Sequence, residues 1–521
     1  MLCLVLLVNS CSFLYQPIDI EEISDPLEVN AKVPQFQEVD LNFKHRVTEE
    51  IGYPFLGSAL IDMDGDGVDE VFLGGGPGQS DGLFRFDPAT KKFIDISAQS
   101  GITNTSLTYG VLAIDMNQDG KSDLLVSRDD GIYFYENKKL RFKGQKLAIP
   151  LEKDSVAIGI TACDVNLDGQ VDLYLSTFIS ANKFKAATFN DPNHGKRNLL
   201  LINKGGYQFE DITEKSGLEI KQNTFSSLFV DLNGDGFQDM VAALNTGPVL
   251  IFKNDGKGHF KQIPTKLENG FWMGAAVGDI DNDGDQDLFF TNIGNTIPGY
   301  LLRGDLRDEQ ELNLQWLLLR NDGGFKFTDI TEDQGLFNGE FAWGTAFEDF
   351  NLDGKIDLLV SENLLDWPAH GYSKAPHRLF INDGHKFKAV TKLAGVENKF
   401  YGQTPLVSDF NSDGYPDFIW VNINDRSRAF LNKGGKNQFL KVQLPNNASS
   451  LGAKVRVKRA DGVLLNKVFT TGVGYMSDQT HTLFFGLGPS RSIPFLEIKW
   501  PDGFKKTYPV KQVNTLVQIK K

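Results

Sequence analysis

The sequence predicts an all-β protein: a seven-bladed β-propeller followed by a small, sandwich-like all-β domain. Three observations predict it. An acidic loop of the form D-x-[DN]-x-D-G-x-x-[DE] recurs seven times, beginning at Asp62, Asp115, Asp164, Asp231, Asp279, Asp349 and Asp409, at intervals of 53, 49, 67, 48, 70 and 60 residues. Self-similarity at that spacing marks a repeat array rather than a string of unrelated domains. Each copy lies between two short apolar runs, and 52 Gly with 40 Phe in 521 residues suit many short strands joined by tight turns.

The chain opens with MLCLVLLVNSC, an apolar core ending in Cys11. It is too short to span a bilayer, and its position fits a processed export signal. It resembles a bacterial lipoprotein signal with Cys11 as the lipid-accepting residue, although no Lys or Arg precedes the apolar core. That resemblance implies an outer-membrane or cell-surface lipoprotein, or a periplasmic one. Ser12 after Cys11 favours the outer membrane. Residues 12–35, acidic and Pro-containing with little periodicity, read as a tether.

From residue 36 to about 436 one unit repeats. A strand-like run precedes each loop (SALI, VLAI, SLFV) and another follows it (VFLGG, LLVS, MVAAL). A third run then ends in a hairpin signal, as in VLIFKNDGKGHF at 249–260 and WLLLRNDGGFKF at 316–327. A fourth strand follows, as in FEDIT at 209–213. Four antiparallel strands in about 50 residues, repeated seven times, describe a propeller. Blade seven lacks an obvious fourth strand. FQEVD at 36–40 has the fourth-strand pattern with no blade before it, so the N-terminal strand is expected to close the ring. A strand at 439–444 is the competing closure.

The loops also look like metal cages. Positions 1, 3, 5 and 9 offer side-chain oxygens, position 7 its carbonyl, and Gly at 6 permits the turn. Calcium takes six to eight hard oxygen ligands in a flexible cage. The expected sets are Asp62, Asp64, Asp66, Val68 and Glu70; Asp115, Asn117, Asp119, Lys121 and Asp123; Asp164, Asn166, Asp168, Gln170 and Asp172; Asp231, Asn233, Asp235, Phe237 and Asp239; Asp279, Asp281, Asp283, Asp285 and Asp287; Asp349, Asn351, Asp353, Lys355 and Asp357; and Asp409, Asn411, Asp413, Tyr415 and Asp417. Up to seven structural calcium ions follow, held most tightly in the first and fifth loops, which carry four carboxylates. The plainer reading is a set of Asp-Gly turns with Asx hydrogen bonds. An EF-hand would need Glu at position 12 between helices, and here the flanks are strands. The formal charge of −15 argues against nucleic acid or an anionic membrane as main partner, and seven dications would bring it to about −1.

These units resemble the FG-GAP (VCBS-type) repeats of integrin α-subunit propellers and bacterial secreted proteins. From about residue 437 the pattern changes. GAKVRV at 452–457, TGVGY at 471–475, HTLFFGLG at 481–488 and IKWPDG at 498–503 resemble the ASPIC/UnbV domain of the cartilage-acidic-protein-like family. Alternation such as VRVKR and LEIKW indicates a small all-β module. The glycines of 472–475 and 486–488 fit tight turns rather than phosphate cradles. The family resemblance implies export and calcium binding, and no established reaction.

Strand order puts the acidic loops on one face of the disc and the longest insertions, at about 176–196, 292–314 and 361–376, on the other. By resemblance, integrin propellers bind ligands on the face away from their calcium loops. Gly57, Gly110, Gly159, Gly274 and Gly344 each precede a loop by five residues, with Tyr109, Phe225, Trp272, Trp343 and Tyr401 beside or near this position. These aromatics, with Trp367 and His370 in an insertion, are candidates for a sugar- or peptide-binding rim, against a plainer role in blade-to-blade packing. His194, His370 and His377 lie in or beside insertions, but there is no HExxH, no G-x-S-x-G and no Cys–His pairing. Catalysis is therefore not expected. The expected function is recognition or adhesion of a protein or glycan, with a polysaccharide lyase or hydrolase, or an envelope assembly protein, as the alternatives.

Overall fold

The computed structural model describes residues 20–46, 55–183, 195–294, 311–337, 339–362 and 376–520. Its propeller part contains seven sheets, each with four antiparallel strands; one gains the short strand Gly270–Phe271 and another gains Ser477–Asp478 in parallel. Their first strands are Ser58–Ile61, Thr108–Ile114, Ser155–Cys163, Thr224–Val230, Ala275–Gly278, Ala342–Glu348 and Gly402–Ser408. Each lies beside the first strand of the next sheet, and Gly402–Ser408 returns to Ser58–Ile61, so the set forms a closed cycle. Nearly every residue of these inner strands is buried, because each is covered on both faces by neighbouring sheets.

The sheet of blade seven is completed by Phe36–Val39, which pairs antiparallel with Arg428–Asn432, placing Phe36 opposite Asn432. Phe36 packs edge-on against Phe350 and Phe418. The competing strand, Gln438–Gln443, belongs instead to the C-terminal domain. The recurrent glycines serve convergence of the inner strands. The Gly57 amide donates to the Thr108 carbonyl at 3.2 Å and that of Gly274 to the Trp343 carbonyl at 2.9 Å. A Cβ on Gly57 would stand 1.6 Å from the Tyr109 carbonyl oxygen. Cys163 is buried at the end of its strand.

Residues 20–35 are not a loose tether. Ile20, Ile23 and Val29 are buried, the Ile23 amide donates to the Ala389 carbonyl at 2.9 Å, and Arg378 Nη1 donates to the Ile20 carbonyl at 2.9 Å. The alternation of apolar and acidic residues in this stretch is too short to read as a strand, yet its apolar side chains fill the outer edges of blades six and seven. The segment at 1–19, including Cys11, lies outside the described residues.

Blades one and two share a buried ion pair. Arg128 and Asp81 are essentially solvent-free, and Arg128 also donates to Thr108 Oγ1 at 2.8 Å and the Ser106 carbonyl at 3.0 Å. Replacing Arg128 with Met would leave the Asp81 carboxylate buried without its counter-charge. The expected cost is about 3–5 kcal/mol, measured by denaturant unfolding against wild type.

The C-terminal domain consists of a three-stranded sheet (Thr482–Gly488, Gln438–Gln443, Leu516–Gln518) and a four-stranded sheet (Leu464–Val468, Lys454–Lys458, Phe495–Lys499, Lys505–Tyr508). Leu440, Val442, Val455, Val457, Leu496 and Ile498 lie between them. The same apolar cluster continues into Leu112, Leu125, Ile160 and Leu173 of blades two and three. Domain and propeller therefore share one core.

Candidate metal loops and the surface they face

All seven acidic loops fold alike, and local hydrogen bonds explain why. The amide of the position-6 glycine donates to Oδ2 of the first Asp at 2.7–3.1 Å in every copy. The position-7 amide donates to the position-5 Asp at 2.8–3.1 Å. The position-6 glycines hold φ between 80° and 103°, a region closed to most side chains. These Asx-type bonds bring carboxylates together. In the first loop Asp62, Asp64 and Asp66, and in the fifth Asp279, Asp281 and Asp283, place ligand-type oxygens within 4.8 Å of one another.

The position-9 carboxylates have a further role that sequence reasoning missed. In blades two to seven one oxygen accepts the amide of loop position 2, and the other accepts the amide of the Asn that ends the third strand. For Asp287 these donors are Ile280 at 2.9 Å and Asn321 at 2.8 Å; for Asp417 they are Phe410 at 3.0 Å and Asn432 at 2.7 Å. The same Asn side chain then reaches a loop of a neighbouring blade: Asn137 donates to the Met63 carbonyl, Asn254 to Val165, Asn321 to Leu232 and Asn432 to Phe350. Asn137, Asn254, Asn321 and Asn432 are thus clasps between blades, whereas the Asn203 side chain donates to Val171 within its own blade. Each position-9 oxygen keeps a lone pair for a cation.

Burial and adjacent carboxylates raise these acids. Asp123 and Asp239 are pushed up to about 7, Asp172 and Asp287 to about 8, burial being the main cause and the amide donors pulling the other way. Burial likewise lifts Asp279 to about 7. Such loops are short of positive charge, which is the donor chemistry a hard dication satisfies. Loop one differs. Arg85 Nη2 donates to Asp64 at 2.7 Å and its Nε to Glu70 at 2.6 Å, so two of four carboxylates already have a partner. Arg85 is 37% exposed, so the pair is solvent-screened. Arg85→Gln is expected to tighten calcium at this loop about threefold, in line with surface pairs of a few tenths of a kcal/mol, as read by calcium titration.

The C-terminal domain sits on this loop face. Gln443 Nε2 donates to Asp62 at 3.0 Å, Lys454 Nζ meets Asp231 at 2.9 Å, Asn466 Nδ2 donates to Asp279 at 2.8 Å, and Lys441 Nζ donates to Asp409 at 2.7 Å. The Asp115 amide donates to the Asn446 carbonyl at 2.7 Å, and that of Gly488 to Leu352 of loop six at 2.8 Å. A sequence signal for this docking existed. Residues 437–521 hold thirteen Lys and Arg against four Asp and Glu, a net +9, leaving −24 for residues 1–436. Opposite charges of that size attract across a face.

Comparison with known families decides the lineage. The "ASPIC and UnbV" family matches residues 443–521, and the "FG-GAP-like repeat" family matches 62–126, 115–175 and 231–290. The chain carries FG-GAP-like repeats and an ASPIC/UnbV domain. Cartilage acidic protein 1 of Xenopus tropicalis is 24% identical over 495 residues, covering 89% of this chain and 64% of its own length. The Homo sapiens protein of that name is 22% identical over 486 residues, covering 86% of this chain and 69% of its own length. Among solved structures, BBS1N in complex with ARL6DN aligns with TM-score 0.45 and 11% identity over 73% of this chain and 93% of that one. A Bacillus licheniformis rhamnogalacturonan lyase aligns with TM-score 0.41 and 12% identity over 77% and 76%.

The ASPIC/UnbV domain also fills the central channel of the FG-GAP ring, which corrects the aromatic-rim expectation. Residues 470–480 run through the space between the inner strands. Thr471 Oγ1 accepts the Ala162 amide at 2.9 Å in blade three, Ser226 Oγ of blade four donates to the Gly474 carbonyl at 3.1 Å, and Gly474 exchanges amide bonds with Ala275 in blade five. Ser477–Asp478 pairs with Ser58–Ala59 of blade one, Asp478 accepts the Ala113 amide of blade two, and Gln479 bonds the Val407 amide and Pro405 carbonyl of blade seven. Blade six supplies Trp343, whose ring lies 5.4 Å from that of Tyr475. Tyr109, Phe225, Trp272 and Trp343 are at most 1% exposed, and Tyr401 is partly buried against the same cluster. Tyr109, Phe225, Trp343 and Tyr401 line the sleeve around Tyr475 and Met476, while Trp272 packs among blade-four and blade-five residues. None of the four buried aromatics has surface to offer a ligand.

His377 is fully buried, its Nε2 3.0 Å from the Phe400 carbonyl oxygen and its Nδ1 3.2 Å from Asn398 Nδ2. Burial lowers its pKa to about 3. Cut off from solvent, it is a packing residue rather than an acid or base. His194, Trp367 and His370 lie outside the described residues.

Proposed function

We propose that this chain is a calcium-stabilised recognition protein, exported and held at the cell envelope through Cys11, that binds a protein or glycan partner on the face opposite the acidic loops. One observation carries the choice of face: the ASPIC/UnbV domain covers the loops and fills the channel, so the loop side and the pore are occupied by the chain itself. On the other face the second strands of blades three, five and six end at Ile179, Phe290 and Glu362 and the third strands begin at Leu199, Leu317 and Arg378, and the long insertions of the sequence fall between these points. Calcium enters through donor chemistry: the residues of loop five would hold it, as a cluster of carboxylate oxygens free of ion pairs among the described residues. The ion would supply the positive charge that those buried acids lack.

The test is a glycan-array and surface-protein binding screen of the intact chain, repeated with each insertion replaced by a short Gly-Ser linker. Binding that disappears in one replacement while the melting temperature holds is the expected result. Binding retained in all three replacements would sink the choice of face. A product released from a polysaccharide incubated with the chain would favour the lyase or hydrolase reading instead.

A further inference from the structure

The seven loops are not equivalent in charge: blade residues pair partly exposed carboxylates in loops one, two, four and six, but among the described residues only the C-terminal domain brings an ammonium to the buried first aspartate of a loop, in loops four and seven. In loop seven, Lys441 Nζ stands 2.7 Å from Asp409 Oδ2, with the lysine side chain 8% exposed and the aspartate 2%. In loop four, Lys454 Nζ stands 2.9 Å from Asp231 Oδ2, the aspartate again 2% exposed. Lys253 adds a second ammonium to loop four, 3.1 Å from Asp235. Lys454 lies directly opposite Lys499, which lies opposite Lys505, across three neighbouring strands. Like charges so placed repel one another. The row is relieved at one end by Glu497, which pairs with Lys505 at 3.0 Å, and at the other by loop four, with Lys499 Nζ 4.0 Å from the place where a Cβ on Gly236 would sit. Loop five contrasts with both. Its first aspartate meets the neutral Asn466 at 2.8 Å, and none of Asp279, Asp281, Asp283 and Asp287 has an ion-pair partner within 4.0 Å among the described residues.

We propose that loops four and seven are neutralised from within by Lys454 and Lys441 and take no calcium, leaving five loops at most, with loop five the strongest. A dication and an ammonium held against the same buried aspartate repel each other, most strongly at Lys441, which is 8% exposed, and less at Lys454, which is 23% exposed. Asp279 Oδ2 of loop five has the same two-donor surroundings, the Gly284 amide and Asn466 Nδ2, but neither donor is charged, so the ammonium is what sets loops four and seven apart. The ASPIC/UnbV domain thereby selects which repeats are metal sites and which are docking sites. This inference rests on the calcium reading above.

The test is an ion count on the full chain, by native mass spectrometry and by equilibrium dialysis against calcium. Wild type should bind five ions or fewer. Asp231→Asn and Asp409→Asn should leave the count unchanged, while Asp279→Asn should lower it by one. Lys441→Met, which keeps the buried stem, should raise it by one where circular dichroism shows a folded chain. Six or seven ions in wild type, or one ion lost from Asp409→Asn or Asp231→Asn, would overturn the assignment. So would an unchanged count in folded Lys441→Met. A wild-type count of zero would instead remove the calcium reading beneath it.

Discussion

Tyr475→Ala is expected to destabilise the whole chain by about 3–5 kcal/mol, the range for deleting a large aromatic from a core. Tyr475 is 1% exposed and its ring packs 5.7 Å from Phe225 and 5.4 Å from Trp343. Those two rings belong to blades four and six, so one side chain fills space that separate blades would otherwise leave open. Deleting it leaves a cavity ringed by strands that cannot collapse inward, because their spacing is fixed by the closed cycle. Tyr475→Phe separates packing from polarity. The Tyr475 hydroxyl is buried and has no hydrogen-bond partner among the described residues, so its removal should be neutral or stabilising by about 1 kcal/mol. Guanidinium unfolding of both variants is the measurement. An alanine variant that unfolds with the wild-type midpoint would mean the channel segment contributes nothing to the ring.

The plug explains which parts of the molecule were legible in the sequence. Loops, blades and ring closure are local or periodic. The position-6 glycines, the alternation before and after each loop, and the orphan strand at 36–39 each carry their meaning within a few residues. The plug carries none of its meaning locally. TGVGYM reads as a turn, and only the folded ring shows why glycine is needed: at Gly472 a Cβ would stand 2.4 Å from the Ser227 carbonyl oxygen, and φ is +83°. Of the aromatics near the starts of the inner strands, Tyr109, Phe225, Trp343 and Tyr401 cluster with Tyr475 of the plug, whereas Trp272 packs between blades four and five. Whether the axis was open depended on a segment far along the chain. The docking of the C-terminal domain could have been read from its +9 charge against −24 elsewhere. Attributing much of the acidity to metal hid that signal.

Chelation is expected to produce the second large effect, and its size should depend on pH. Without a cation, Asp123 and Asp239 titrate near 7 and Asp172 and Asp287 near 8 in the fold, because burial disfavours their charged forms. In the unfolded chain the same groups titrate near 4. Between those values the folded state binds more protons than the unfolded state, so stability of the metal-free protein falls as pH rises from about 4 to 8. Calcium replaces the missing protons with fixed positive charge and removes that slope for every loop it fills. At a hundredfold excess over Kd each filled site adds about 2.7 kcal/mol. Melting temperatures with and without chelator should therefore diverge steadily from pH 5 to pH 8, with the chelated protein the lower throughout. Metal-saturated and chelated curves that run parallel across this range would mean the buried acids of the loops are not where the ion binds. The acids most responsible for the slope are also the ones whose second oxygens anchor the inter-blade Asn clasps. Loss of metal at high pH should accordingly loosen contacts between blades, and amide exchange should quicken first at Asn137 and Asn321, whose amides are held by Asp123 and Asp287.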